Sequence, residues 1–171
     1  WSDLEAVAKL ILDVCTADGD ATLAVTPAEL AREWKNEGFT LETDAWVVEA
    51  SNGRIVGFEE FSIRHAHAVL GGDGYVHPEY MGRGVGTAML RAMNERALAE
   101  VKLAEPDLRV YIRNGMSIGD TVGRAMHEAE GYQPIRFSWR MEIKLTEAPP
   151  APTWPAGVEL RPFLPGKHEQ L

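Results

Sequence analysis

The chain has a single cysteine, Cys15, in 171 residues. That excludes an internal disulfide and fits a cytosolic compartment. No apolar run approaches the roughly 20 residues that span a bilayer, and no charged-then-apolar leader precedes the first periodic segment. Basic residues are few: 17 Lys and Arg against 26 Asp and Glu give a net charge of −9. A nucleic-acid partner needs a basic face, so that class is excluded. The same sign suits a basic amine as a ligand. Histidine is also sparse. His65 and His67 would share one face of a strand, but no third ligand lies near them, and a pair alone does not make a metal site. What remains is 45% hydrophobic and 25% charged, the composition of a globular chain long enough for one domain.

Periodicity lays out the elements. Ser2-Asp3-Leu4-Glu5 reads as a capping box. Leu4, Val7, Ala8, Ile11 and Val14 follow at helical spacing, with Cys15 on the buried side. Thr26-Pro27-Ala28-Glu29 opens a second helix with proline at its first position; Leu30 and Trp34 form its apolar side and Gly38 ends it. Ala45–Ala50 is strand-like, Asn52-Gly53 marks a tight hairpin, and Ile55–Ile63 returns. Ala66–Val76 is the next strand. A helix runs from the following glycine loop to about Val101, with Leu90, Met93, Ala97 and Leu98 on its stripe. Leu108–Ile112 is a short strand, Val122–Ala129 a helix closed by Gly131, and Gln133–Leu145 a long final strand.

The glycine loop carries the chemistry. In Val76-His77-Pro78-Glu79-Tyr80-Met81-Gly82-Arg83-Gly84-Val85-Gly86-Thr87, three glycines sit between a strand and a helix. Glycine lets the backbone approach a ligand without a side chain in the way, and a helix N-terminus favours anions. Together these make a pyrophosphate cradle. A Walker loop would need a lysine followed by Ser or Thr, and none is present. A dinucleotide fingerprint would need glycine where Met89 stands.

The loop resembles that of the GNAT acyltransferase superfamily, Gln/Arg-x-x-Gly-x-Gly/Ala. Gly84 and Gly86 match its small positions, the Val-His-Pro-Glu-Tyr lead-in is typical, and Met81 stands where Gln or Arg is usual. The resemblance covers about Ser2 to Leu145. It implies an α/β (α+β) fold with a mixed, mostly antiparallel sheet, helices on both faces and a splayed coenzyme A cleft. It also implies acetyl transfer from acetyl-coenzyme A to a small-molecule amine by direct attack in a ternary complex. The pyrophosphate would be held by Gly82, Arg83, Gly84, Val85, Gly86 and Thr87, with Met81 at the lip. The pantetheine arm would pair with the strand edge at Tyr75 and Val76, with the Val76 N–H as oxyanion donor. Asp120 stands where an Asn commonly caps the last helix and touches that arm. The family's Tyr proton donor falls at or next to His127, and a histidine can donate a proton near neutral pH.

The general base is less defined. Asp73 is the one acid on the strand before the loop, and a regular strand would turn it away from Val76. Glu59 and Glu60 point to opposite faces of their strand; Glu60 is taken as the candidate. A water chain is the alternative to all three. An inactive half that binds coenzyme A or supports a sister domain, and a pure interaction module, are competing readings.

The tail suggests a tandem arrangement. The family has a strand before its first helix, and this chain opens at the helix. Residues 146–156 hold four prolines, Pro149, Pro150, Pro152 and Pro155, the composition of a stiff linker. Residues 157–171 then read as a strand and helix start of a second unit after a first domain at 1–145. Val158–Phe163 is expected to fill the missing first-strand position beside Trp46–Ala50, in its own chain or in a neighbouring copy as a homodimer.

Overall fold

The structure is a computed structural model, and it describes residues 1–164. The chain falls into two compact units, Trp1–Gln133 and the segment from Pro134 onward.

The first unit begins with α1 (Leu4–Ala17), which buries Val7, Ala8, Leu10, Ile11 and Cys15. The expected capping box does not form. Asp3 is the cap residue and makes no side-chain cap bond; its carboxylate accepts from the Ser2 hydroxyl. At α2 (Pro27–Glu33) the box is complete: Thr26 caps the Glu29 N–H and Glu29 reaches back to Thr26. A one-turn helix, α3 (Leu41–Asp44), leads into β1 (Ala45–Glu49). It carries no apolar periodicity and was not readable in the sequence.

The sheet follows as β2 (Ile55–Arg64), β3 (Val69–Val76) and, after α4 (Val85–Val101), β4 (Tyr111–Ile112); α5 (Thr121–Ala129) closes the unit. Strand order is β1-β2-β3-β4. The first two pairings are antiparallel and the third is parallel. This is the mixed sheet expected. Phe58 belongs to the core under α1 and α2, with Ile55, Leu30 and Trp34. Phe61, three residues on, belongs to the core under α4, with Leu70, Leu90, Met93 and Ala97. Alternation along β2 therefore separates an α1 face from an α4 face.

Ala66–Ala68 form a turn rather than strand. His65, Ala66 and His67 all have positive φ, at 52°, 48° and 67°, which β geometry excludes. His67 Nδ1 meets Glu100 at 2.6 Å. Glu100 also bonds Arg96, which donates to the Asp44 carboxylate at 2.9 Å and lies over the Phe61 ring. Asp44 and Glu100 are both buried. Arg96→Ala would leave the buried Asp44 carboxylate without its cation and Glu100 with His67 alone, and is expected to lower unfolding free energy by about 3–5 kcal/mol, read by denaturant titration.

The described part of the second unit, 134–164, contains no helix or strand. The expected final strand at Gln133–Leu145 is thus not formed. Its alternation is clear, with Ile135, Phe137, Trp139, Met141, Ile143 and Leu145 at every second position, yet all six are exposed. An alternating pattern becomes a strand only when a partner ladder satisfies its backbone. Val158–Phe163 likewise has no strand structure, so the expected filling of the first-strand position is not seen, and β1 is the edge of the four-stranded sheet. The expected helix start at 165–171 lies outside the described residues.

Candidate active site

The cleft begins where β3 and β4 part. They share only the pairs Val69–Tyr111 and Leu70–Ile112. Arg113 N–H then donates to the Leu70 carbonyl at 2.8 Å. The last link is made by a side chain: Gly72 N–H donates to Asn114 Oδ1 at 3.0 Å. A side chain at Gly71 would run into the Arg113 carbonyl, so the close approach needs glycine. Even-numbered residues of β3 turn their backbone groups toward β4, and odd-numbered ones bond to β2. Past Gly72 the backbones of Gly74 and Val76 therefore face the open side. The Val76 N–H is one of these open-side groups. Tyr75 does not present its backbone there; it is turned to β2.

The glycine loop lies at the end of this edge. Gly84 caps α4 with φ of 83° and no side-chain cap bond, so the first N–H groups of a 17-residue helix are free to meet an anion. The three glycines serve different ends. Gly82 and Gly84 have left-handed backbones and open space around them. At Gly86 an added Cβ would lie 2.9 Å from Met126 Sδ and 3.5 Å from Val76, so this glycine admits α5 and β3 rather than ligand. Arg83 lies 4.7 Å over the Tyr80 ring, and Met81 is exposed at the lip. Asp120 caps α5 by accepting from Gly123 N–H at 2.8 Å.

His127 stands at the cleft's closed end. Its Nδ1 meets the Gly123 carbonyl at 2.8 Å and its Nε2 meets Asn114 Nδ2 at 3.2 Å. A carbonyl can only accept, so the ring proton sits on Nδ1 and Nε2 accepts from the amide. Both nitrogens are thus engaged. The Tyr132 ring packs edge-on against His127 at 5.1 Å, and its hydroxyl donates to Asn94. Asn114 was missed in the sequence, where a lone Asn after a short strand carries no signal.

Glu60 and Asp73 are direct register partners across β2 and β3. The two acids read separately in the sequence stand together on the α1 face. Burial first, then the charges of Asp73 and Glu33, push Glu60 up to about 7. Asp73 is exposed at the surface; partial desolvation by its neighbours raises it, opposed by the hydrogen bond from Tyr75 at 2.8 Å. The Tyr75 hydroxyl is itself pushed far up, by burial and then by Asp73, so it remains a donor.

Glu59 takes the other face. Its partner is Gly74, and it is 5% exposed. Burial first, then Asp73 and Glu60, raise it to about 8. The folded protein thus holds a proton that the unfolded chain has lost, so stability is expected to fall as pH rises from about 4.5 to about 8. Melting curves across that window should be flatter for Glu59→Gln than for the wild type.

Comparison with known proteins fits this geometry. Residues 42–133 match the family model for the acetyltransferase (GNAT) domain. The chain belongs to the GNAT acetyltransferase family. The matched span contains the loop, the cleft and all three acids. The chain is 25% identical over 177 residues to a mycothiol acetyltransferase of Catenulispora acidiphila, covering 99% of this chain and 53% of that protein. A mycothiol acetyltransferase of Thermobispora bispora is 37% identical over 100 residues, covering 58% of this chain and 30% of that one. A crystal structure of a GCN5-related N-acetyltransferase from Sphaerobacter thermophilus superposes with a TM-score of 0.85 at 34% identity, over 99% of this chain and 52% of the other. A phosphinothricin acetyltransferase from Sinorhizobium meliloti, solved with acetyl-coenzyme A, shares the fold at 21% identity and a TM-score of 0.58, over 76% of this chain and 69% of its own. The chain spans about half the length, or less, of the curated relatives named here. Acetyl-coenzyme A is the acyl donor of GNAT acetyltransferases, and the cleft has the parts to take it: backbone donors at the loop and an unpaired strand edge beside it. Among the described residues no helix is long and apolar enough to cross a membrane.

Proposed function

We propose that this chain is an acetyl-coenzyme A-dependent N-acetyltransferase domain of the cytosol, acting on a small-molecule amine by direct attack in a ternary complex. The observation that carries the reading is the pairing of Glu60 with Asp73 on the face opposite α4, beside the cleft. Two facing carboxyls cannot both ionise freely, so one holds its proton into the neutral range. Tyr75 donates to Asp73 and favours its ionised form, which leaves Glu60 as the member titrating near neutrality. A base poised there can take the proton of an ammonium acceptor. The charges felt at Glu60 are those of Asp73 and Glu33, and both favour a cation there. A hollow of about 450 Å3 between Thr22 and Asn36, lined in part by Glu29, Arg32 and Glu33, offers room for the rest of the acceptor.

The pyrophosphate would rest on the N–H groups of Val85, Gly86 and Thr87, with Arg83 at its side. The pantetheine amides would pair with Gly74 and Val76. The relatives' name makes mycothiol-type amines the first acceptors to try. The test follows free thiol on mixing the protein, acetyl-coenzyme A and a panel of amines, with calorimetry of coenzyme A alongside. Thiol release that depends on the amine supports the reading. Coenzyme A binding without release would make this an inactive half of a longer enzyme, and no binding would leave only an interaction module.

A further inference from the structure

Glu59 is buried on the α4 face and is used by nothing described so far. Its carboxyl makes no hydrogen bond or ion pair among the described residues. A buried polar group without a partner calls for a physical reason. The site is built to hold it. Gly72 and Gly74 lie under the carboxyl, and a Cβ at either would overlap it, at Oε1 and Oε2 respectively. Met93 closes the pocket from α4, and the charge of Glu59 is felt at Tyr132, beyond the end of α5. The carboxyl is not sealed, however. Among the described residues the indole nitrogen of Trp34 is the only side-chain polar atom both sealed and unpaired. Both Glu59 oxygens therefore keep a little contact with open space. The glycines beneath them belong to the β3 segment whose backbone borders the cleft.

A coenzyme seated as proposed above would bring its sulfur here. An arm that starts at the loop and follows β3 from Val76 back to Gly72 covers about 13 Å at strand rise. It must stop at Gly72, where Asn114 closes the cleft. Its end then lies between two acids from adjacent positions of β2, Glu60 on the acceptor face and Glu59 on the coenzyme face. His127, at the same closed end, has its one proton committed to the Gly123 carbonyl.

We propose that Glu59 gives the proton that the departing coenzyme A thiolate takes up. The inference rests on the acetyltransferase reading above. The amine nitrogen attacks the thioester carbonyl and the C–N bond forms. Glu60 takes the proton from nitrogen. The C–S bond breaks with its electron pair going to sulfur, and the Glu59 O–H proton transfers to that sulfur. Glu59 is left as a carboxylate and Glu60 as an acid; Glu60 releases its proton to solvent and Glu59 takes one up when free coenzyme A departs. Burial suits it to this part, since it resists ionisation up to about pH 8. The titratable groups around it are Asp73 and Glu60 through the sheet and Tyr132 beyond α5; α4 contributes the uncharged Met93.

Glu59→Gln keeps the shape and removes the acid. With acetyl-coenzyme A and an amine found active, kcat is expected to fall about a hundredfold, with the KM for acetyl-coenzyme A nearly unchanged. The fall of wild-type activity above about pH 8 should vanish in the variant. Infrared difference spectra of wild type against Glu59→Gln at neutral pH should also carry the band of a protonated carboxyl, whether or not turnover is measured. Unchanged kcat, a retained alkaline fall, or no such band would overturn the proposal. A kcat loss confined to His127→Phe would return the role to the histidine. Wild-type protein that binds acetyl-coenzyme A but releases no thiol with any amine would instead remove the acetyltransferase reading, and this proposal with it.

Discussion

Gly84→Val is expected to abolish coenzyme A binding, and Gly86→Val to weaken it about tenfold to a hundredfold, while Met81→Ala leaves it nearly intact. The two losses have different causes. At position 84 the backbone is left-handed, with φ of 83°, a conformation that a β-branched residue resists strongly. The loop would reshape, and the N–H groups of the first turn of α4 would no longer converge. At position 86 the backbone is helical, but the space is filled. The new Cβ would sit 2.9 Å from Met126 Sδ and 3.5 Å from Val76, so the Met126 side chain must swing away and the valine methyls crowd the seam between α5 and β3. Overpacking of this kind costs about 1–3 kcal/mol, and here it falls on the wall of the cleft. Calorimetry with coenzyme A reads both losses. A circular dichroism spectrum with the wild-type helical signal separates loss of the site from loss of the fold. Wild-type affinity in Gly84→Val would remove the glycine loop as the binding element.

The parts of the site that follow a local rule were legible in the sequence. The loop was readable because strand, glycines and helix are contiguous. The cap at Thr26 was readable because all four of its residues lie in one turn. The pairing of Glu60 with Asp73 was not, because it depends on the register of β2 against β3. That register follows from the three positive-φ residues at His65–His67, which tie the hairpin in a way that no motif announces. From the strand alone Asp73 was placed opposite to Val76, which is correct. What the strand could not tell was that Asp73 meets Glu60 across β2 on that face. Asn114 and the engagement of His127 were hidden for the same reason. Each depends on atoms that meet only in the fold. The alternation from Ile135 to Leu145 is the reverse case, a clear strand signal with no strand among the described residues. Periodicity states which side chains would share a face, but pairing also needs a neighbour to take up the backbone hydrogen bonds.

Glu60→Gln should lower turnover by about a hundredfold or more, with little change in acetyl-coenzyme A affinity, because Glu60 lies on the α1 face and the coenzyme loop caps α4 on the other. Its pH dependence follows from its surroundings. A base works when ionised, and Glu60 is raised to about 7. Wild-type activity at saturating acetyl-coenzyme A should therefore rise through about pH 7 and level off above it, until the alkaline fall assigned to Glu59 begins. Asp73→Asn removes a like charge that helps hold Glu60 up, so it should move this rise to lower pH while retaining most of the activity. Tyr75→Phe should act in the same direction, but more weakly. Without the phenol, Asp73 keeps its proton to higher pH and so repels the Glu60 carboxylate less. A rise that stays in place in both Asp73→Asn and Tyr75→Phe would show that the carboxyl pair does not carry the acid limb. The incoming amine's own ionisation would then be the source, and it can be recognised because the limb would move with the pKa of each amine in the panel.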